Sequence, residues 1–399
     1  MHGEAQEESV FDRAILGGAD VSDETLAAMV RDCLGVDRVE LVDGSAKVAD
    51  YDLEALTTAG RYWVEGTARH SRGVTPYVFF VKVVQSWTRS PQFQRVPEAL
   101  RELAAAGLPW RNEPDVYRSD LAHRLPAGLA MPTAYAVVEI DDLSAGLWLQ
   151  AIEHDPSRWE RATFVRAAYL LGRLAGSSAV RPLRSLGSSD VVRSYVHGRL
   201  EHQVLPTLRG EGLWDHPLVA PAFGAELRSR LLAAADALPA FLGEMDGAPL
   251  GTAHGDACPR NLLVATGDRD SFVLIDFGFW CEAPLTFDLT QLIVGEVQTG
   301  ERPASELAEL EEACLPAYQR GLRDEGHDVS VDVLRRVHAM LMLMYFGLSA
   351  VPLEVLFGAP APGSAAVVRE RARAATFVLD LLDSTEPGVT GSPRHAADR

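Results

Sequence analysis

His254-Gly255-Asp256-Ala257-Cys258-Pro259-Arg260-Asn261, followed by Ser271-Phe272-Val273-Leu274-Ile275-Asp276-Phe277-Gly278, is the stretch on which the reading of this chain turns. It fixes three oxygen-bearing side chains in order: Asp256, then Asn261, then Asp276 at the end of a β-prone run. Phosphoryl transfer from ATP to a hydroxyl needs a carboxylate near the attacking oxygen, an amide oxygen for Mg²⁺, and a second carboxylate that bridges the metal to the phosphates. Asp256, Asn261 and Asp276 fit those roles in that order.

The residue types follow from the chemistry. Mg²⁺ wants oxygen ligands and takes one or two carboxylates alongside phosphate oxygens and water. Asn261 offers a neutral oxygen, which keeps excess negative charge away from the nucleotide. Asp256 is the expected general base, orienting the acceptor hydroxyl and taking its proton. Pro259 stiffens the loop between the two, and Gly278 lets the backbone turn away after Asp276.

His-Gly-Asp with Asn261 downstream, then a strand and Ile275-Asp276-Phe277-Gly278, resembles the catalytic and metal loops of the aminoglycoside phosphotransferase and choline kinase-like family. These small-molecule kinases are relatives of the protein kinases, which use HRDxxxxN and DFG. The resemblance implies an α+β, bilobal protein-kinase-like fold. Its first lobe would be an antiparallel β-sheet with helices and its second mainly helical. The change from strand-rich to helix-rich sequence puts the lobes at 21–152 and 153–384, with disordered ends at 1–20 and 385–399.

Composition sets limits. The chain has 399 residues, enough for two lobes, with 47% hydrophobic and 23% charged residues. The formal net charge of −19 argues against nucleic acid, whose phosphates need a basic stripe, and suits either attraction of a cationic partner or a solubility-adapted acidic surface. No apolar run is long enough for a membrane span, and the acidic N-terminus lacks the apolar core of a secretory signal. The four cysteines, Cys33, Cys258, Cys281 and Cys314, show no metal-ligand spacing, and a reduced cytoplasmic setting is the expectation.

Taken in order, Ser22 caps an amphipathic helix ending near Gly35, with Leu26, Met29, Val30 and Leu34 on its apolar face. Strands occupy 37–87. In the last, Lys82 is flanked by Val81 and Val83, a costly place for an ammonium unless an anion meets it. The kinase resemblance implies that Lys82 reaches the nucleotide phosphates and that a glutamate on the next helix aims it. Glu113 is that residue, with Glu98 and Glu102 as competitors. Thr57 and Thr58, in Thr57-Thr58-Ala59-Gly60, are the candidate phosphate-covering turn. By the same analogy Gln150-Ala151-Ile152 is the hinge, so Gln150 and Ile152 are expected beside the nucleotide base. His254 would brace the catalytic loop, and Asp288 would support it by hydrogen bonds without reacting. Glu282, Glu296 and Asp324 are available acids for a cationic acceptor, Glu282 first among them.

The resemblance implies an ATP- or GTP-dependent, Mg²⁺-requiring transfer of the γ-phosphate to a hydroxyl of a small molecule. An aminoglycoside or other amino-bearing sugar or natural product is the first choice, which would make antibiotic resistance one possible role beside biosynthesis and metabolism. Choline, homoserine or a macrolide would fit the same core, and a pseudokinase without turnover is a second class. A protein kinase is disfavoured because HRD and a following Ala-Pro-Glu are both missing. Monomer and homodimer are both compatible with the sequence.

Overall fold

Alternation along Gly73–Gln85 sets the first lobe. Tyr77, Phe79 and Val81 are buried on one face with Leu26, Met29 and Val30, while Phe80 and Lys82 fall on the other. The computed structural model describes residues 11–50, 55–155, 159–266, 268, 270–356 and 363–386. Its strands, in chain order, are β1 (Phe11–Asp12), β2 (Glu40–Val48), β3 (Thr58–His70), β4 (Gly73–Gln85), β5 (Leu129–Ala130), β6 (Ala134–Asp141), β7 (Ser144–Gln150), β8 (Leu250–Ala253), β9 (Leu262–Val264), β10 (Phe272–Leu274) and β11 (Cys281–Pro284). The first sheet has the order β1-β2-β3-β4-β7-β6, antiparallel throughout except where β1 joins β2.

Helix α1 (Asp23–Leu34) covers the outer face of this sheet. The Ser22 hydroxyl accepts from the Thr25 amide at its start, and Gly35, at φ 60°, ends it. Two short helices, α2 (Arg101–Ala106) and α3 (Asn112–Arg118), follow β4 and are separated around Pro109. The rest is mainly helical, led by α4 (Arg161–Gly176) and the helices Val219–Met245, Phe287–Thr299, Leu307–Asp324, Val331–Met342 and Ser364–Ser384. The protein is therefore an α+β, bilobal, kinase-like fold. Among the described residues no helix is long and apolar enough to cross a membrane.

Two features depart from the sequence reading. The segment expected to be disordered at 1–20 is ordered from Phe11 onward; residues 1–10, like 387–399 of the expected disordered tail, lie outside the described residues. The cause is local. The buried Arg13 guanidinium donates to Asp20 and Asp23 at 2.9 and 2.8 Å, and the Trp148 indole donates to Ala19 O at 2.8 Å. These bonds tie the segment to α1 and the sheet. The second departure is at Leu129–Ala130. It falls inside the stretch assigned to the first lobe, yet it pairs in parallel with β10 in the small sheet β5-β10-β9. Apolar residues of that crossing segment, Val116, Tyr117, Leu121 and Leu129, belong to the large core of the helical lobe.

Inside that core His338 is wholly buried, with Nδ1 3.1 Å from Thr290 Oγ1. Burial, with Arg335 adding, pushes its pKa from 6.5 down to about 3, so the folded chain holds it neutral. The unfolded chain takes up this proton from pH 6.5 downward and the folded chain does not. The stability due to neutral His338 is full above that pH and is lost as pH falls. Between pH 7.5 and 5 the loss is about 2 kcal/mol. Urea unfolding of His338→Phe should lose that much less stability over the same interval than the parent chain; equal losses would contradict the neutral buried state.

Candidate active site

The catalytic-loop stretch is held by backbone geometry. β8 pairs antiparallel with β11, and the chain leaves β8 at His254. Gly255 sits at φ 90°, and a Cβ there would lie 1.9 Å from Phe279 O, so only glycine fits. Asp288, in the first turn of helix Phe287–Thr299, is buried and accepts from the His254 amide at 2.7 Å and the Gly255 amide at 2.9 Å. Burial pushes its carboxyl up to about 7 against the two amides that favour its charge. The His254 ring is wholly buried. Its Nε2 donates to Ile275 O at 3.0 Å, leaving Nδ1 to accept from the Asp256 amide at 3.4 Å. Burial holds this imidazole down at about 4, neutral at physiological pH. One ring thus links the two motif segments.

Asn261 then meets Asp256. Its Nδ2 donates to the Asp256 backbone oxygen and to Oδ2, each at 2.9 Å. The Asn261 carbonyl accepts from the Ile275 amide at 3.1 Å, which brings the loop against the end of β10. With its nitrogen committed, Asn261 has its side-chain oxygen to offer a cation. Burial, reinforced by the charge of Asp276, pushes the Asp256 carboxyl up to about 6. Cys258 beside it is pushed up to about 12 by burial, which makes it an inert thiol. Asp276 has left-handed backbone angles, φ 64° and ψ 67°, in a non-glycine residue.

Lys82 and Glu113 close the site from the first lobe. Lys82 Nζ donates to Glu113 Oε2 at 2.6 Å and lies 3.0 Å from Asp276 Oδ1. Lys82 and Glu113 are 5% and 3% exposed, so this is a desolvated contact. Burial works against the ammonium, but Asp276 and Glu113 outweigh it and its pKa is raised. Burial likewise opposes the charge of Asp276, and Lys82 overcomes it, so that carboxyl is held below its usual value. Burial dominates at Glu113 and pushes it up to about 7, because one ammonium cannot fully compensate two carboxylates. The competitors Glu98 and Glu102 lie on earlier turns, outside the cleft lining.

Lys82, Glu113, Asn261 and Asp276 line a cleft of about 740 Å³, together with Gln150 and Ile152. The Gln150 amide donates to Thr133 O at 2.8 Å. Asp256 is not among the lining residues; it is joined to them through Asn261 Nδ2, 2.9 Å from its Oδ2.

Other expectations are corrected. Thr57 and Thr58 do not line the cleft; Ala49 and Asp50, at the other end of the β2–β3 connection, do. Thr57 O accepts instead from the Gln85 amide at 2.8 Å, because the chain is already entering the sheet there. Glu282 is paired with Arg184 Nη1 at 2.5 Å, which removes it as an open acid for a cationic acceptor. Asp324 accepts from the Tyr169 hydroxyl, while Glu296 is paired with the buried Arg302 and lines the cleft. Arg61 and Trp63, which the sequence reading missed, also line the cleft. Their positions opposite Lys82 and Phe80 follow from pairing β3 with β4, a register signal available only once the hairpin is placed.

The sequence model of the phosphotransferase enzyme family matches residues 61–323, and the chain belongs to that family. It is accordingly a small-molecule kinase. Among solved structures it is similar to an aminoglycoside phosphotransferase from Alicyclobacillus acidocaldarius subsp. acidocaldarius DSM 446, at 14% identity over 85% of this chain and 91% of that one, TM-score 0.49. It is also similar to an amicoumacin kinase solved with AMP-PNP, Ca²⁺ and Ami (13%, 84% and 88%, TM-score 0.46). A third is an ethanolamine kinase of Plasmodium vivax (12%, 86% and 83%, TM-score 0.47). No curated protein matches the chain.

Asp288→Ala leaves two buried amides without an acceptor, a loss of about 3 kcal/mol. Asp288→Asn keeps one acceptor oxygen and should cost less. Chemical denaturation of both variants would read the difference; parent-like stability in the alanine variant would rule out the supporting role.

Proposed function

We propose that the chain transfers the γ-phosphate of ATP or GTP to a hydroxyl of a small molecule, with an aminoglycoside or other amino-bearing sugar first among the acceptors. The observation that carries this reading is the meeting of Asp276 with Lys82 and Glu113 from one side and of Asp256 with Asn261 from the other. The formal net charge of −19 supports a cationic acceptor through long-range attraction.

In the proposed reaction Lys82, aimed by Glu113, neutralises phosphate charge. Asn261 and Asp276 would hold Mg²⁺, and their donor set, one amide oxygen and one carboxylate, suits an ion that keeps water and phosphate oxygens in its shell. When bound, that ion neutralises charge on the β- and γ-phosphates. Asp256, hydrogen-bonded to the Asn261 side chain, would serve the acceptor and not the nucleotide. It takes the hydroxyl proton as the acceptor oxygen bonds to the γ-phosphorus; the bond to the β–γ bridging oxygen breaks and the nucleoside diphosphate leaves. His254, neutral and buried, and Asp288 position this loop without touching the reacting atoms.

The test is nucleotide consumption across a panel of amino sugars, amino alcohols and macrolides. Turnover with an amino-bearing sugar supports the reading; turnover only with neutral acceptors removes the cationic class. Nucleotide binding without turnover on any acceptor favours a pseudokinase.

Asp256→Ala should lower kcat about 10²–10⁴-fold, the usual worth of a general base. In the parent enzyme the base is needed unprotonated. Its carboxyl sits at about 6, so kcat/KM should fall as pH drops below that value. A flat profile from pH 7 to 5 would remove Asp256 from that role.

A further inference from the structure

The roof of the cleft is built from two cross-strand rungs. Directly opposite residues on an antiparallel pair share a face. Arg61 of β3 is paired with Lys82 of β4, and Trp63 with Phe80. All four line the cleft. The Trp63 and Phe80 rings meet edge-to-face with centroids 5.0 Å apart. Phe80 is in turn opposite Leu149 of β7, next to Gln150 at the strand end. One rung is therefore cationic and the other aromatic. The cationic rung lies over Asp276 and the aromatic rung lies toward the end of β7.

The charges beneath the cationic rung are unbalanced. Lys82 lies 2.6 Å from Glu113 and 3.0 Å from Asp276, one ammonium against two carboxylates. A nucleotide bringing several more negative charges to that end needs a second cation. Arg61 is the residue across from Lys82 on the same face, and its charge already acts to lower both Glu113 and Asp276. A guanidinium adds something that an ammonium lacks, since its planar fork grips two phosphate oxygens at once.

We propose that Arg61 is a second phosphate-binding residue, acting with Lys82 on the nucleotide's β- and γ-phosphates while the Trp63–Phe80 rung covers the base. This rests on the nucleotide reading above and adds an assignment that no sequence motif marks. The consequence is a polarity for the bound nucleotide, with phosphates under Arg61–Lys82 and base under Trp63–Phe80. It also predicts that loss of Arg61 is felt in proportion to phosphate content.

The experiment is calorimetric titration of ATP, ADP, AMP and adenosine, with Mg²⁺ present, into the parent chain, Arg61→Met, Arg61→Lys and Trp63→Leu. Arg61→Met should weaken ATP and ADP about ten- to a hundredfold, the worth of a hydrogen bond to a charged group, and leave adenosine within about twofold. Arg61→Lys should recover part of the loss. Trp63→Leu should weaken all four ligands alike. Equal loss of all ligands in Arg61→Met, or unchanged ATP and ADP affinity, overturns the assignment. A parent chain that binds neither ATP nor ADP would instead overturn the nucleotide reading itself, so the two failures are separate.

Discussion

A single ammonium shared by two carboxylates is the constraint on which the site depends. Lys82 is 5% exposed and lies in the middle of a strand, a placement tolerable only if its charge is met. Glu113 comes from α3 and Asp276 from the far lobe, so the contact ties β4, α3 and the end of β10 to one point. It is also under-compensated. Burial, with the charge of Asp276 adding to it, pushes Glu113 up to about 7, while Lys82 holds Asp276 low against burial. On the proposed chemistry this imbalance favours exchange. A metal ion taken up by Asp276 would relieve Lys82 of one partner and free it to face phosphate.

The second lobe fixes its half of the site by a different means. It uses backbone amides and one neutral ring instead of ion pairs. Asp288 holds the His254 and Gly255 amides, and His254 spans to Ile275 O. Neighbouring core rings hold the same region: Phe277 lies 5.0 Å from His254 and 5.5 Å from Tyr117 of α3. The Asn112 side chain donates through Nδ2 across to Trp280 O at 3.3 Å. Helix α3 is thus anchored to the second lobe on one side and delivers Glu113 to Lys82 on the other. Its position is what makes the two halves of the site meet.

The legibility of the sequence follows from this division. That Asp256, Asn261 and Asp276 come together could be read because short-range loop chemistry dictates residue type and spacing. Lys82 could be read because an ammonium among strand-forming valines is physically anomalous. Arg61 and Trp63 escaped because arginine and tryptophan in a strand are unremarkable until the hairpin register sets them opposite Lys82 and Phe80. Thr57 and Thr58 stand outside the cleft lining for a related reason: hydroxyl-rich turns look alike in sequence, and here the chain enters β3 at Thr58 with a register shift before Gly60. Glu282 looked like an open acid because its partner, Arg184, is distant in sequence. The ordering of Phe11–Asp20 depends on Trp148, still farther along the chain.

The acids suggested for the acceptor carry a final argument. Glu282 is committed to Arg184, Asp324 to Tyr169 and Glu296 to Arg302. Two of these three carboxylates are met by a guanidinium, so much of the pull of a net charge of −19 on a cation comes from the field of the whole surface. Such a field steers encounter more than it discriminates among bound cations. Discrimination would have to come from the shape and polar groups of the helical lobe around Asp256. The catalytic loop is anchored from within by Gly255, His254 and Asp288, so that surrounding lobe can change without disturbing it. A core built this way supports one phosphoryl-transfer chemistry with different acceptors, each selected outside the residues that make the transfer possible.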